Sequence, residues 1–469
     1  MFDLADFSVE YAQKLGASYA EARLEQTQSN AFVLKNSNLE LSGFDSIQGL
    51  GIRIIVNKAL GFVSTNTLQK DNVKLLIDRT IRTLKHRPSI NEEVELAPDT
   101  AHKKTYEVKQ KINLNSVDVT EKTAELIEAD KAILATGVKT LGRYLTLSDF
   151  VTTEYLVNSE GSQIKATVPR VTFVYLLTVQ EGSKTMQRFW QYANTGGFEF
   201  VKKWDIRNIV AEEVSACSNN LKNAVPCPKK KMDVVAAPQV VGIMVHESCG
   251  HPYEADRILG REGAQAGESF ITKEMLGTRI GTDAVTIVDD PTVENSYGFY
   301  LYDNEGVKAR RKNLIRKGII NEFLHNRQTA ALMGVASNGS SRAVDYDKES
   351  IVRMSNTFML EGDHTEEELI EGVKEGVYMK NFMEWNIDDK RIHQKYVGAE
   401  SYLIKNGKLG EPVRNPTLEI STLDLYRTVD AVAKNTEFHA GNCGKGEPMQ
   451  ALPVWFGGPS IRLRNIMLK

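Results

Sequence analysis

The stretch VGIMVHESCGHPYEADR, residues 241–257, restricts what this chain can build more than any other part of it. An apolar helix opens at Pro238, near its first turn, and runs into two histidines, His246 and His251, with Glu247 directly after the first. In the familiar H-E-x-x-H arrangement the histidines lie four apart, about 40° around an α-helix, so both rings face one point. A spacing of five puts them roughly 140° apart on the same helix. A π-type turn, closed at i→i+5, brings fifth neighbours back into line. Pro252 has no N–H for the carbonyl of Ser248, and its ring collides with that carbonyl in a regular helix. Gly250 lets the backbone bend just before His251. SCGHP is therefore expected to bulge or end the helix and carry His251 round towards His246.

A lone histidine in an apolar segment is more often a core residue than a ligand, but two of them flanking a glutamate read as a metal pair. A catalytic zinc keeps three protein ligands and one open position. The residues alone leave the third ligand open among Cys443, His439 and a carboxylate such as Glu254. Cys249, on the same turn as both histidines, has too short a bite and reads as a small buried hydrophobe. Cys443 sits in HAGNCGKGEPMQ between Gly441 and Gly444, where a backbone can approach a metal closely. A thiolate there is a ligand, not a nucleophile. Glu254 and Asp256 could orient the imidazoles by accepting their second N–H, or be ordinary charges on a solvated turn.

A chain of 469 residues is expected to divide into two or three domains. The fold class read from the pattern is α+β: N-terminal and middle α/β-type units with mixed sheets, then a β-rich C-terminal domain carrying the HExxxH helix. The N-terminal unit covers 1–90, with a helix over 2–15, strands in AEARLEQ, AFVLKNSNLELS and LGIRIIVN, and a helix in DNVKLLIDRTIRTLKH. Residues 91–112 read as a connection. The middle unit, 113–225, holds a capped helix in SVDVTEKTAELIEADKAILAT, three or four strands between 141 and 182, and a helix over 204–223. Residues 226–231, Pro- and Lys-rich, read as a linker. The C-terminal domain, 232–469, contains short strands in TVENSYGFYLYDNEG, NLIRKGIINEFLHN, SIVRMSNTFML, AESYLIKNGKLGEPV and PTLEISTLDL, with one helix in TEEELIEGVKEG.

Charge and composition bound the partners. With 58 basic and 61 acidic side chains the net charge is -3, which gives no electrostatic footprint for nucleic acid. No apolar run reaches the eighteen or so residues of a membrane span, and the acidic start is not a signal peptide. Only four cysteines occur, so a reducing cytoplasm is the expected setting.

HESCGHPYEADR, LYDNEGVKARRKNLIRKGIINEFL, RMSNTFML, AESYLIKNG and NCGKGEP together resemble the TldD/PmbA family, and more specifically its TldD-type metalloprotease branch. The likeness follows the order of segments over most of the chain and is densest from 240 to 450. H-E-x-x-x-H with a downstream C-G-K belongs to that branch; PmbA-type subunits share the fold and lack these ligands. Pro252 departs from the family, which usually has a small residue there. The resemblance implies Zn2+ held by His246, His251 and Cys443, with Glu247 as the catalytic glutamate that takes the proton of a zinc-held water. It also implies hydrolysis of small or unfolded peptides inside a chamber made by a homodimer or a heterodimer with a PmbA-like subunit. Tyr302 and Arg353 fall in family motifs and could line the cleft; Tyr302 and His439 are the candidates for stabilising an oxyanion. The alternatives are a non-catalytic, PmbA-like peptide-binding partner and a purely structural zinc with His439 as fourth ligand.

Overall fold

The computed structural model describes residues 2–86, 93–263 and 267–469. Helix α1 (Asp3–Lys14) leads into two long strands, β1 (Tyr19–Lys35) and β2 (Asn38–Val56), followed by β3 (Ala59–Thr65) and helix α2 (Lys70–Lys85). After β4 (Lys103–Glu107) come helix α3 (Val119–Ala135), β5 (Thr140–Asn158), β6 (Gln163–Glu181) and β7 (Lys184–Thr195), then α4 (Glu199–Trp204) and α5 (Ile206–Asn223). All seven strands join in one sheet, in the order β3-β2-β1-β5-β6-β4, with β7 also on β6. Only the β4–β6 pair is parallel, so the sheet is mixed. α1 and α2 cover one half through Ala5, Val9, Ile77 and Ile81 on Ala22, Leu24 and Ile52. α3 and α5 cover the other through Leu126, Ile133, Val210 and Val214 on Leu145 and Phe173.

The alternation in AEARLE has a structural meaning. Ala20, Ala22 and Leu24 face the helices, while Glu21, Arg23 and Glu25, on the opposite face, are also buried. That face lies against the C-terminal half: Arg53 Nη1 is 2.6 Å from Glu305 Oε1, and the buried Arg327 pairs with Glu160 at 2.7 Å.

In the C-terminal half a seven-stranded sheet has Ile461–Met467, Lys231–Ala236 and Glu375–Met379 at its centre. A six-stranded sheet runs from Ile319–Ile320 through Lys312–Arg316, Ile287–Asp289, Asn356–Met359 and Gln450–Gly458 to an edge strand, Glu437–Lys445. Helix α6 (Pro238–Val245) packs on the last two strands of that sheet. A Cβ on its Gly242 would stand 2.7 Å from Phe456 Cδ2, so glycine sets how closely helix and sheet approach.

Four expectations change. AFVLKNSNLELS is not one strand; it spans the β1–β2 hairpin, which turns at Asn36 and Ser37, both with positive φ (46° and 69°). Residues 141–182 make two strands of 19 residues each, not three or four, because only NSEGS turns the chain. The connection 91–112 contributes β4, which pairs with β6; residues 91 and 92 lie outside the described ones. TVENSYGFYLYDNEG forms no regular strand and keeps one bridge, Tyr302 to Lys308.

Candidate metal centre

Helix α6 ends at Val245, His246–Gly250 is a π-helical turn, and His251–Tyr253 tightens into a 3-10 turn. The loosened turn brings the fifth neighbour into line, as the spacing requires: the imidazoles of His246 and His251 stand 4.9 Å apart between centroids, at 82°. Gly250 lets the turn pack closely on Met354, whose Sδ would stand 1.9 Å from a Cβ there. Cys443, on the edge strand Glu437–Lys445, reaches the pair from the far end of the chain, its Sγ 3.3 Å from His251 Nε2. Ligand atoms of His246, His251 and Cys443 all lie within 4.8 Å of one another, and all three residues are buried.

The donor set fits a metal ion on its own chemistry. His246 Nδ1 is buried with no hydrogen-bond partner, a costly state that coordination through that nitrogen would relieve. Burial pushes the His246 pKa down, favouring the neutral ring a metal needs. Burial alone would raise the Cys443 thiol, but the neighbouring His251 and Arg353 bring it down to about 7, towards the thiolate. Two nitrogens and a thiolate suit zinc.

Glu254 is fully buried and its Oε2 lies 3.2 Å from His251 Nδ1, so of the two carboxylates expected to orient the rings this one does. The same oxygen accepts from Arg257 Nε at 2.7 Å and faces Lys445 Nζ at 3.3 Å. Burial would raise its pKa, yet Lys445 and Arg257 hold it well below the usual carboxylate range. Asp256 does not reach an imidazole. It binds Lys445 Nζ at 2.7 and 2.8 Å, which anchors the strand just beyond Cys443.

Arg353 is also placed differently from expectation. It is wholly buried behind the Cys443 strand, donating to the Cys443 carbonyl and, at 2.7 Å, to the Gln450 carbonyl, so it holds the thiolate's backbone instead of lining the cleft. Tyr302 lies elsewhere, its ring against His102 and Tyr106 on a separate cavity of about 150 Å3 between the two halves, and is no oxyanion donor for this site. His439 packs on Trp190 and Phe456, and burial pushes its pKa down to about 4. It does not join the donor cluster, so among the described residues the cluster has three members, as an open site requires. Cys249 stays outside it as well, its thiol pushed far up by burial.

Glu247 shares a cavity of about 440 Å3 with the three donors. Trp385 Nε1 donates to its Oε1 at 3.2 Å, and Arg391 Nη1 pairs with its Oε2. Burial would raise the Glu247 carboxyl, but His251 and Arg391 outweigh it and keep it below its ordinary value, hence ionised at neutral pH. Trp385 and Arg391 have no sequence signal that marks them; Lys445 and Arg257 sit inside the motifs already singled out. Three sheet edges wall the cavity: β7 at Gln187–Gln191, the strand Phe382–Ile387 and the Cys443 strand. A larger, open groove of about 710 Å3 beside Lys231 and Asp424 contains none of the donors, so size does not locate the chemistry here.

An open three-donor centre with an ionised glutamate beside it, in a cleft rimmed by strand edges, defines a metallopeptidase, and the names of similar proteins carry that class. "Metalloprotease MJ0996" of Methanocaldococcus jannaschii is 33% identical over 447 residues, covering 95% of both chains. "Zinc metalloprotease TldD homolog" of Saccharolobus solfataricus is 27% identical over 464 residues, covering 98% of each. The crystal structure of TldE from Thermococcus kodakarensis superposes with a TM-score of 0.77 at 15% identity over 99% of both chains, a likeness of fold alone. Family models match as PmbA/TldA metallopeptidase domain 1 over 20–84, the central domain over 112–216 and the C-terminal domain over 229–469. The chain belongs to the PmbA/TldD metallopeptidase family.

Proposed function

We propose that the chain is a zinc-dependent, TldD-type peptidase in which His246, His251 and Cys443 hold the ion and Glu247 carries the proton. The observation that bears most weight is the cluster of three donor atoms within 4.8 Å next to a glutamate clamped by Trp385 and Arg391. Held by His246, His251 and Cys443, a zinc ion would supply Lewis-acid polarisation of the scissile carbonyl and acidify a nearby water. The chain's own residues do the rest. Glu247 takes the proton of the nucleophilic water at a carboxylate oxygen as the water oxygen adds to the carbonyl carbon. It then returns that proton to the leaving amine nitrogen, acting first as base and then as acid. The strand edges around the cleft suit an extended peptide, bound by main-chain hydrogen bonds with low side-chain selectivity. A cavity of about 440 Å3 takes a few residues and no folded domain, so small or unfolded peptides are the proposed substrates.

We further propose that the chain pairs with a second subunit of this fold, itself or a PmbA-like partner, to enclose the cleft. The outer half of β2, Asn38–Gln48, supports this, as a bare sheet edge with exposed apolar side chains. The four free cysteines fit a reducing compartment, and the cytoplasm is the setting we propose. Among the described residues no helix is long and apolar enough to cross a membrane.

The test is Glu247→Gln in the full chain, with zinc content and turnover of fluorogenic peptides measured together. Zinc is retained and turnover falls about 10^2- to 10^4-fold. A variant that hydrolyses at the normal rate overturns the mechanism. A wild-type chain that binds zinc and cuts nothing, alone or with a PmbA-like subunit, leaves the non-catalytic reading instead.

A further inference from the structure

Glu247 is carried by the π turn, yet what orients its carboxylate comes from a different element. Strands Phe382–Ile387 and His393–Gly398 form an antiparallel hairpin, and both donors to Glu247 belong to it: Trp385 from the first strand, Arg391 from the turn. Each carboxylate oxygen thereby receives a donor of its own. The Glu247–Arg391 pair is buried, each side chain 8% exposed, and both residues line the cavity that holds the metal donors.

The turn is built to present Arg391. Its backbone is left-handed, with φ at 66°, an uncommon state for a residue with a side chain. The conformation is pinned from several sides: Asp388 accepts from the N–H of Ile392 at 2.7 Å and of His393 at 3.1 Å. The Thr422 hydroxyl donates to the Arg391 carbonyl at 2.8 Å, and the Thr422 N–H to the Ile392 carbonyl at 2.8 Å. Asp388 and Thr422 thus hold the turn, and with it the Arg391 backbone, in one conformation. Stability alone accounts poorly for the pair, since replacing a buried ion pair by well-packed apolar groups is often neutral or stabilising.

We propose that Trp385 and Arg391 are positioning residues for the hydrolysis, clamping Glu247 from the Phe382–Gly398 hairpin so that its carboxylate keeps one orientation beside the donor cluster. The inference rests on Glu247 being the proton carrier. Neither residue accepts the proton itself; each acts through Glu247.

The experiment uses the full, zinc-loaded chain and the variants Arg391→Ala, Arg391→Lys and Trp385→Phe, read by zinc content, Tm, kcat and KM on a fluorogenic peptide. Arg391→Ala lowers kcat about 10- to 100-fold, with zinc content unchanged and KM shifted by less than about two-fold. Arg391→Lys recovers part of that loss, and Trp385→Phe, which keeps the ring and removes the N–H donor, shows a smaller one. In a Glu247→Gln background Arg391→Ala causes no further loss, because two residues acting as a unit are not additive. A kcat within about two-fold of wild type in Arg391→Ala overturns the proposal, as does a loss of equal size in the Glu247→Gln background. A rise in KM alone also overturns it and makes Arg391 a substrate contact. Should Arg391→Ala fail to fold, Arg391→Lys and Trp385→Phe carry the same comparison. If Glu247→Gln alone leaves turnover intact, the proposed mechanism fails, which is a separate result.

Discussion

At the scale of single residues, the side chain on which the centre most depends after its donors is Glu254. One of its oxygens serves His251, Arg257 and Lys445 at once, with no solvent to share the charge. Glu254→Gln keeps the shape and removes the carboxylate 2.7 Å from the buried Arg257 Nε, while Lys445 keeps Asp256. The variant is expected to lose about 3–5 kcal/mol of stability to urea, the cost of breaking a buried pair. Its zinc affinity, read by competition with a chelating dye, falls about 10- to 100-fold through the freed imidazole. An unchanged affinity would make Glu254 a purely structural anchor. His246, His251 and Glu247 stood out in the sequence because they share one turn, whereas Cys443 was singled out among the open candidates only through the family resemblance. Arg391 and Trp385 did not stand out, since arginine and tryptophan in NFMEWNIDDKRIH are ordinary residues until the tertiary fold sets them against Glu247. Tyr302 misled for the opposite reason: it lies in a motif shared across the family, and that motif serves the junction of the two halves, not the metal.

Among elements, the π turn is the one on which the centre depends, and Gly250 is the residue it can least spare. Gly250→Ala adds a methyl 1.9 Å from the sulfur of Met354, itself buried at 1% exposure, so the turn or the Met354 side chain packed against it must move. We expect a loss of about 1–3 kcal/mol, as for overpacking elsewhere, read as a lower Tm of the metal-free chain. We also expect weaker zinc binding, because the turn that aligns His246 with His251 is what shifts. A variant with normal Tm and zinc affinity would show that the turn tolerates a side chain. This element was readable because glycine and proline act locally. The long strands were harder to read. SGFDSIQG in the middle of β2 has the composition of a loop, yet it stays in register with β1 from Ser42↔Phe32 to Gly49↔Glu25. Its polar residues are exposed along an edge, so turn-like composition here reports solvent, not a turn.

For the whole molecule, the burial of Glu21, Arg23 and Arg53 between the two halves shows why domain boundaries are hard to draw from sequence: alternating charge reads as a solvated face, and here it is an internal seam. The converse holds at β2, whose outer half has the polar composition of a loop, pairs as a strand and leaves its apolar side chains uncovered. β3 pairs only with residues 50–56 of β2, so from Asn38 to Gly49 that side of the strand has no neighbour in the sheet. Leu39, Leu41, Phe44 and Ile47 along it are 47%, 47%, 66% and 43% exposed. A long apolar edge of this kind invites pairing with another chain unless something covers it. The proposed second subunit is the natural cover. Phe44→Glu combined with Leu41→Lys puts two charges on the edge and leaves the metal centre and both helix-covered cores untouched. Sedimentation velocity should then show the wild-type chain, alone or mixed with a PmbA-like subunit, as a dimer and the double variant as a monomer with normal zinc content. If the double variant sediments with the wild type, the subunits meet through another surface. If its turnover of short peptides stays normal while it is monomeric, pairing serves to exclude larger substrates and not to complete the centre.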